Sequence, residues 1–276
     1  MPTTDALLRA AVSGAPDALS LTLDSAFQGL PETAHGGTLL ALFDTLARRG
    51  PAREIVGHYR RRVPLGTPLG LAVGDDGASY RVLDAVGAVL VEGRVETLAA
   101  APPAAASPPA GGEPLPISRT CFACGVDNPI GLRAALTFDQ HAVGGEWRPH
   151  PRFLREDGRL SAVALTTLLD EAAFWLGALA TGESGMTTEL RVTLHEPAAA
   201  PERVRVSGER RSVRPRVDDP RYWETRVAAT DERGRLLASG AITFVTVRGA
   251  ARRLVSGLLA SNETAVLRRV FPAYTA

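Results

Sequence analysis

Lysine is absent from the 276-residue sequence, so all 31 basic residues are arginine, and against 30 acids they leave a formal net charge of +1. A chain this close to neutrality has no electrostatic footprint for nucleic acid or an acidic partner, and neither is expected. Cysteine is nearly absent too: Cys121 and Cys124 are the two present, too few for a disulfide framework. The start lacks the charged-then-apolar form of a secretory signal, so the expected location is the cytoplasm. No apolar run reads as long enough to span a bilayer, and no membrane role is expected. What is present is 45% hydrophobic content, enough for a sizeable core in one large domain or two ordinary ones.

The clearest boundary is the proline-, alanine- and glycine-rich stretch AAAPPAAASPPAGGEPLP, which removes apolar periodicity over residues 99–116. It divides a first domain at 1–98 from a second at 117–248, with a helical tail at 249–276. In the first half we read a short amphipathic helix at Thr4 to Val12 and a strand near Leu19 to Leu23. A glycine-led helix follows at Gly37 to Arg49, then strands at Glu54 to Val63, Leu69 to Gly74, Ala78 to Asp84 and Ala88 to Leu98. The second half opens with the loop CFACGVDNPIGL, with strands at Leu132 to Phe138 and Ala142 to Trp147. Next come the helix LSAVALTTLLDEAAFWLGALA and strands near Thr187 to Leu194, Arg203 to Arg214, Tyr222 to Thr230 and Leu236 to Val247. Both halves thus share one order, a sign of internal duplication.

That order constrains the architecture. Leu39, Leu40, Leu42, Phe43 and Leu46 cover nearly the whole circumference of their helix, so it has to be wrapped rather than laid on a surface. Strands joined by short turns make an antiparallel meander. The expected fold class is α+β, with a curved antiparallel sheet rolled around one long helix, twice.

Several residues stand out chemically. Asp44 interrupts an apolar helix, where an ionised carboxylate is expensive unless paired or solvated. Its alternatives are a functional role or a structural bond to a buried polar group. Asp170 and Glu171 are adjacent, hence about 100° apart on a helix, so one pocket cannot take both. Cys121-x-x-Cys124 has the spacing of half a zinc site, but no second Cys or His pair accompanies it, and a loop role is the expectation. Arg60, Arg61 and Arg62 alternate on an expected strand, so one face, Arg60 and Arg62, could meet phosphates, and a solvated strand edge explains the run equally well. The tail is amphipathic and is expected to pack on the body or on a second subunit.

Phe27, Gly29, His35, Gly36, Gly37 and Asp44 form a pattern that resembles the hotdog-fold acyl-CoA thioesterases, especially the phenylacetate-pathway type. In that family a Phe-x-Gly and a His-Gly-Gly precede the helix, and an aspartate follows nine residues after the histidine. VGHYRRRVPLGTPLGLAV, from Val56 to Val73, is similar to the strand and turn after that helix. In the second half CFACGVDNPIGL and Leu168-Leu169-Asp170-Glu171-Ala172 are similar to family segments, but Ser161, Ala162 and Val163 stand where His-Gly-Gly would be. The resemblance implies two tandem hotdog domains, coenzyme A as part of the substrate, and no metal or redox cofactor.

Thioester hydrolysis needs donors aimed at the carbonyl oxygen and a carboxylate that activates water or attacks directly. A helix start offers free N–H groups, and glycine lets a carbonyl approach. Gly36 and Gly37 therefore read as an oxyanion pocket. At about 1.5 Å rise per residue, Gly37 and Asp44 are roughly 10 Å apart and cannot serve one carbon. Antiparallel helices would cure this by lending parts across a pseudo-twofold axis. Gly36 and Gly37 then pair with Asp170 as the preferred catalytic site, and Asp44 pairs with the backbone near Ala162 and Val163. His35, Arg60, Arg62 and Trp175 are expected to bind substrate. The rival readings are a non-catalytic acyl-CoA-binding or scaffold protein, then a hydratase or dehydratase of acyl thioesters. A homodimer is compatible with either.

Overall fold

The structure, a computed structural model, describes residues 1–47, 52–98, 111–195 and 200–275. The first half contains α1 (Thr4–Ala10), β1 (Val12–Ala15), β2 (Ala18–Leu21), α2 (Gly36–Ala47), β3 (Arg53–Tyr59), β4 (Leu69–Val73), β5 (Ser79–Leu83) and β6 (Val89–Thr97). The second half contains β7 (Glu113–Pro114), β8 (Thr137–Phe138), β9 (Ala142–Trp147), α3 (Ala162–Thr181), β10 (Gly185–Leu194), β11 (Val204–Glu209), β12 (Arg214–Pro215), β13 (Tyr222–Asp231) and β14 (Leu236–Thr246). The tail forms α4 (Ala250–Leu258) and α5 (Thr264–Val270).

One antiparallel sheet runs through both halves. Its order is β1-β2-β4-β5-β6-β3-β10-β14-β13-β11-β9-β8-β7, with β12 beside β13. The two halves join where β3 pairs β10, Ile55 facing Val192 and Gly57 facing Leu190. Outward from that seam, with the short β12 set aside, each half repeats one topology: the strand after the helix, then the fourth, third and second strands after it, then the strands that precede the helix. This is the double hotdog architecture.

Each helix is buried in the concavity of its sheet. Every residue of α2 from Gly37 to Thr45 is buried, as is every residue of α3 from Ala162 to Ala173. Contact is so close that a Cβ on Gly93 would lie 2.6 Å from the Phe43 ring. α3 starts at Ser161, whose side chain accepts from Val163 N–H, and ends at Gly182 with φ +67°. By length and composition α3 could cross a bilayer, contrary to the expectation that no run was long enough. Its burial between sheet and α2 makes it a core helix instead.

Other boundaries differ for local reasons. α1 stops at Ala10, and Val12 opens the β1–β2 hairpin. β3 stops at Tyr59, leaving Arg60, Arg61 and Arg62 in a connection rather than alternating along a strand. Most of the expected strand at 132–138 is irregular, with pairing confined to Thr137 and Phe138. The boundary segment lies outside the described residues over 99–110, as does Arg49; from Glu113 the chain already pairs with β8. The tail packs on the body through Ala251, Val255, Leu258, Leu267, Val270 and Phe271.

Candidate active site

The start of α2 is fixed by the loop before it. His35 N–H donates to Phe27 O at 2.9 Å, and a Cβ on Gly29 would come within 3.0 Å of the His35 Cα, so the turn closes tightly over the helix start. Thr38 Oγ1 then donates to His35 O at 2.7 Å. Here α2 meets α3 at backbone distance. A Cβ on Gly37 would lie 2.6 Å from Thr166 O and from Thr167 Cα, and one on Gly36 would lie 2.8 Å from Asp170 Oδ2. Thr166 Oγ1 donates to Gly37 O at 2.7 Å across the same contact. Moving from Gly36 to Gly37 goes up α2 while the partners go from Asp170 back to Thr166, so the helices run antiparallel.

The carboxylate of Asp170, 6% exposed, sits at this crossing. Its Oδ2 accepts from Gly37 N–H at 3.0 Å, and its Oδ1 accepts from Thr187 Oγ1 at 2.8 Å. His35 Nδ1 is 3.3 Å from Oδ2 and also 3.1 Å from Gly37 N–H. Gly37 N–H is therefore committed to holding the side chains. Gly36 N–H has no acceptor among the described residues, while its carbonyl accepts from Tyr59 Oη at 2.6 Å. Gly36 is thus the free donor at the helix mouth, and Gly37 serves helix packing and Asp170.

Behind the aspartate, Glu171 accepts from Trp175 Nε1 at 2.8 Å through Oε1, and its Oε2 is 3.8 Å from His35 Nε2. Cys121 and Cys124 lie beside them, both buried and free of disulfide. Burial alone would lower the His35 pKa, but the Glu171 and Asp170 carboxylates lift it to about 9. Burial pushes the Asp170 carboxyl up despite His35, Thr187 and Gly37. Glu171 is also desolvated, yet His35, Cys124 and Trp175 hold it below the ordinary glutamate range. The Cys124 thiol, bonded to the Cys121 sulfur, lowers Cys121 and is itself raised.

These groups wall a cavity of about 250 Å³ between the two halves and the tail; Asp170 and Glu171 both line it, contrary to the expectation that one pocket could not take both, because the cavity wraps the helix and His35 reaches each carboxylate with a different ring nitrogen. Its apolar side is built by Leu39, Val63, Phe174, Trp175, Leu254 and Leu258. Exposed Arg61 and Arg62 stand at its rim, with Arg62 Nε 3.4 Å from Met186 Sδ.

The structure brings together Asp170, Gly36, Gly37, His35 and Trp175, and puts Arg62 at the rim. Two expected residues are elsewhere. Arg60 turns outward, pairing with Glu92, because the strand has ended and the alternation does not hold. Asp44 is bound by Arg53 through Nε and through Nη2 at 2.8 Å, with both side chains buried. The expected pairing with the backbone at Ala162 and Val163 is not what holds Asp44. Ser161 Oγ bonds Asp5 there instead. Sequence reading missed Thr187, Tyr59 and the approach of the cysteine loop. No spacing rule links Thr187 to Asp170, although an early hydroxyl on the strand following the helix is the one available cue.

No family model matches this sequence, and no curated protein matches it. Solved structures do. A candidate thioesterase II from Thermobifida fusca YX aligns at TM-score 0.59 and 18% identity, over 88% of this chain and 99% of that one. The tesB protein of Mycobacterium avium subs paratuberculosis aligns at 0.57 and 13%, over 87% and 98%. Dehydratase 1 of GphF aligns at 0.54 and 18%, over 85% and 96%. At such identities the likeness shows the fold, a double hotdog.

Proposed function

We propose that this protein hydrolyses acyl thioesters, with coenzyme A or a similar phosphorylated carrier as the thiol, at one composite site between its halves. The observation that carries this reading is Asp170: a buried carboxylate of the second half, held by Gly37 N–H and Thr187 Oγ1 at the mouth of the first half's helix. The acyl chain enters the apolar cavity, and the phosphates meet Arg61 and Arg62 at the rim. The thioester carbonyl oxygen accepts from Gly36 N–H, where a side chain would be blocked by Asp170.

Asp170 takes a proton from water as the oxygen adds to the carbonyl carbon. The tetrahedral intermediate then expels the thiolate, which recovers that proton from Asp170, leaving free acid and thiol. Burial favours this role, since it makes the carboxylate a stronger base than one in water. Thiol release from a panel of acyl-CoA esters, followed with a thiol-trapping reagent, tests the reading. Binding without release across the panel would favour the scaffold alternative.

One observation favours a second reading, a hydratase or dehydratase: His35 and Asp170 share the pocket at 3.3 Å. Such chemistry needs a ring nitrogen presented to substrate. Nδ1 of His35 faces Asp170 and Gly37 N–H, and Nε2 faces Glu171. Both nitrogens are occupied, which ranks this reading second. Water addition to an enoyl-CoA without thiol release would reverse that order.

A further inference from the structure

We propose that Cys121, Cys124, His35 and Glu171 form a site for a thiophilic divalent ion of the zinc class, closed by four protein ligands. The site joins the cysteine loop of the second half to the start of α2 in the first half and to α3. It does not rest on the hydrolytic reading.

Ligand atoms of His35, Cys121 and Glu171 lie within 4.8 Å of one another, and all three residues are buried. Metal–donor bonds of about 2.0–2.3 Å in a tetrahedron put donors roughly 3.3–3.8 Å apart. His35 Nε2 and Glu171 Oε2, at 3.8 Å, are about half an ångström wider than the roughly 3.3 Å of a nitrogen–oxygen pair on one ion, a gap that a small side-chain rotation closes. Cys124, three residues on in the same buried loop, stands outside that trio but interacts with Cys121 and Glu171 and borders the same cavity, so a swing of its side chain brings in the fourth ligand. Two cysteines separated by two residues are the spacing at which one turn presents both sulfurs to one ion. The remaining pair was invisible in the sequence because His35 and Glu171 come from distant segments.

The surroundings are those of a metal site. Ala123 N–H points at Cys121 Sγ at 3.4 Å, a donor that favours a thiolate. Trp175 Nε1 fixes Glu171 Oε1, leaving Oε2 toward the histidine. Asp170 stands 3.3 Å behind His35 Nδ1, the carboxylate–histidine arrangement that orients ligating imidazoles. The loop itself is anchored across the halves by Phe122 N–H to Gln28 O at 2.6 Å and Asn128 Nδ2 to Ala26 O at 2.8 Å. Cys121, Cys124 and Glu171 border the cavity, which gives an ion its way in.

Binding releases the thiol protons and forms two metal–sulfur bonds. Four protein ligands leave no open position, so the ion is a structural clasp and does not activate water.

The test uses the full chain, reduced and stripped with a chelator, titrated with Co²⁺ while its absorption spectrum and far-UV circular dichroism are recorded. The expected result is saturation at one equivalent per chain, with thiolate-to-cobalt charge-transfer bands, intense tetrahedral d–d bands, and displacement by Zn²⁺. Charge-transfer intensity should fall by about half in Cys124→Ser and vanish in the Cys121→Ser/Cys124→Ser double variant. His35→Gln and Glu171→Gln should weaken Co²⁺ affinity at least tenfold. Should the cysteine variants fail to fold, thiol labelling of the parent decides: one equivalent of Zn²⁺ should protect both cysteines, and chelation should restore labelling. A folded, reduced parent that shows no charge-transfer band and no Zn²⁺ protection would overturn the site. The hydrolytic reading fails separately, by absence of thiol release.

Discussion

Asp44 and Asp170 each occupy the ninth position of a central helix, counted from Gly36 and from Ala162, and their neighbours give them different work. Asp44 faces Arg53 and is consumed by a buried ion pair. Asp170 faces the other helix's start and a cavity. Replacing Asp170 by Asn keeps the shape and removes the proposed base. Thiol release from acyl-CoA should fall by about 10²–10⁴-fold, measured as kcat/KM. Asp44→Asn should instead cost on the order of 3 kcal/mol in stability, read from denaturant unfolding, because a buried arginine loses its carboxylate. The helical pitch made the need for a second helix legible from sequence, since one helix cannot bring Gly37 and its own aspartate to one atom. The partner of Asp44 was not legible, because Arg53 approaches only once β3 has folded back along α2.

At the scale of elements, the paired glycines separate into two functions. A Cβ on Gly37 meets backbone of α3, which cannot move aside, so Gly37→Ala should push the helices apart and destabilise the fold by several kcal/mol, on the order of 3. A Cβ on Gly36 meets the carboxylate oxygens of Asp170. Gly36→Ala should therefore keep stability within about 1 kcal/mol while lowering thiol release at least tenfold. Thermal unfolding and kinetics on the two variants check this contrast. The His-Gly-Gly resemblance located the crossing, but the division of labour depends on which atom faces each glycine.

The turn between β13 and β14 offers a prediction independent of the site. Asp231 accepts from Arg233 N–H at 2.9 Å and Arg235 N–H at 2.8 Å, and Arg235 Nε lies 2.6 Å from its other oxygen. Burial works against the charge, but these donors hold the carboxyl below its ordinary value of 3.8. The folded pKa is depressed, so Asp231 contributes its stability fully above the unfolded value and loses it as pH falls through the folded one. Asp231→Asn should lower the unfolding midpoint at neutral pH, and the difference from the parent should shrink as the pH falls below 3.8.

For the whole molecule, the meander order in each half was readable from strand runs and turn signals, and the all-round apolar helices implied wrapping. The fusion of both meanders into one sheet through β3 and β10 was not readable, because any exposed strand edge could have paired. Nor was the tail's place over the cavity, where Leu254 and Leu258 join the lining. The consequence is a candidate site that neither half contains: the donor and helix start from one, the carboxylate and cysteine loop from the other, and a cover from the tail. Its direct test is a crystal structure with an acyl-CoA ketone analogue, in which a methylene replaces the thioester sulfur. The account predicts the acyl chain in the cavity, the carbonyl oxygen about 3 Å from Gly36 N–H, and its carbon facing Asp170. An acyl group seated elsewhere, or a carbonyl turned away from both residues, would contradict it.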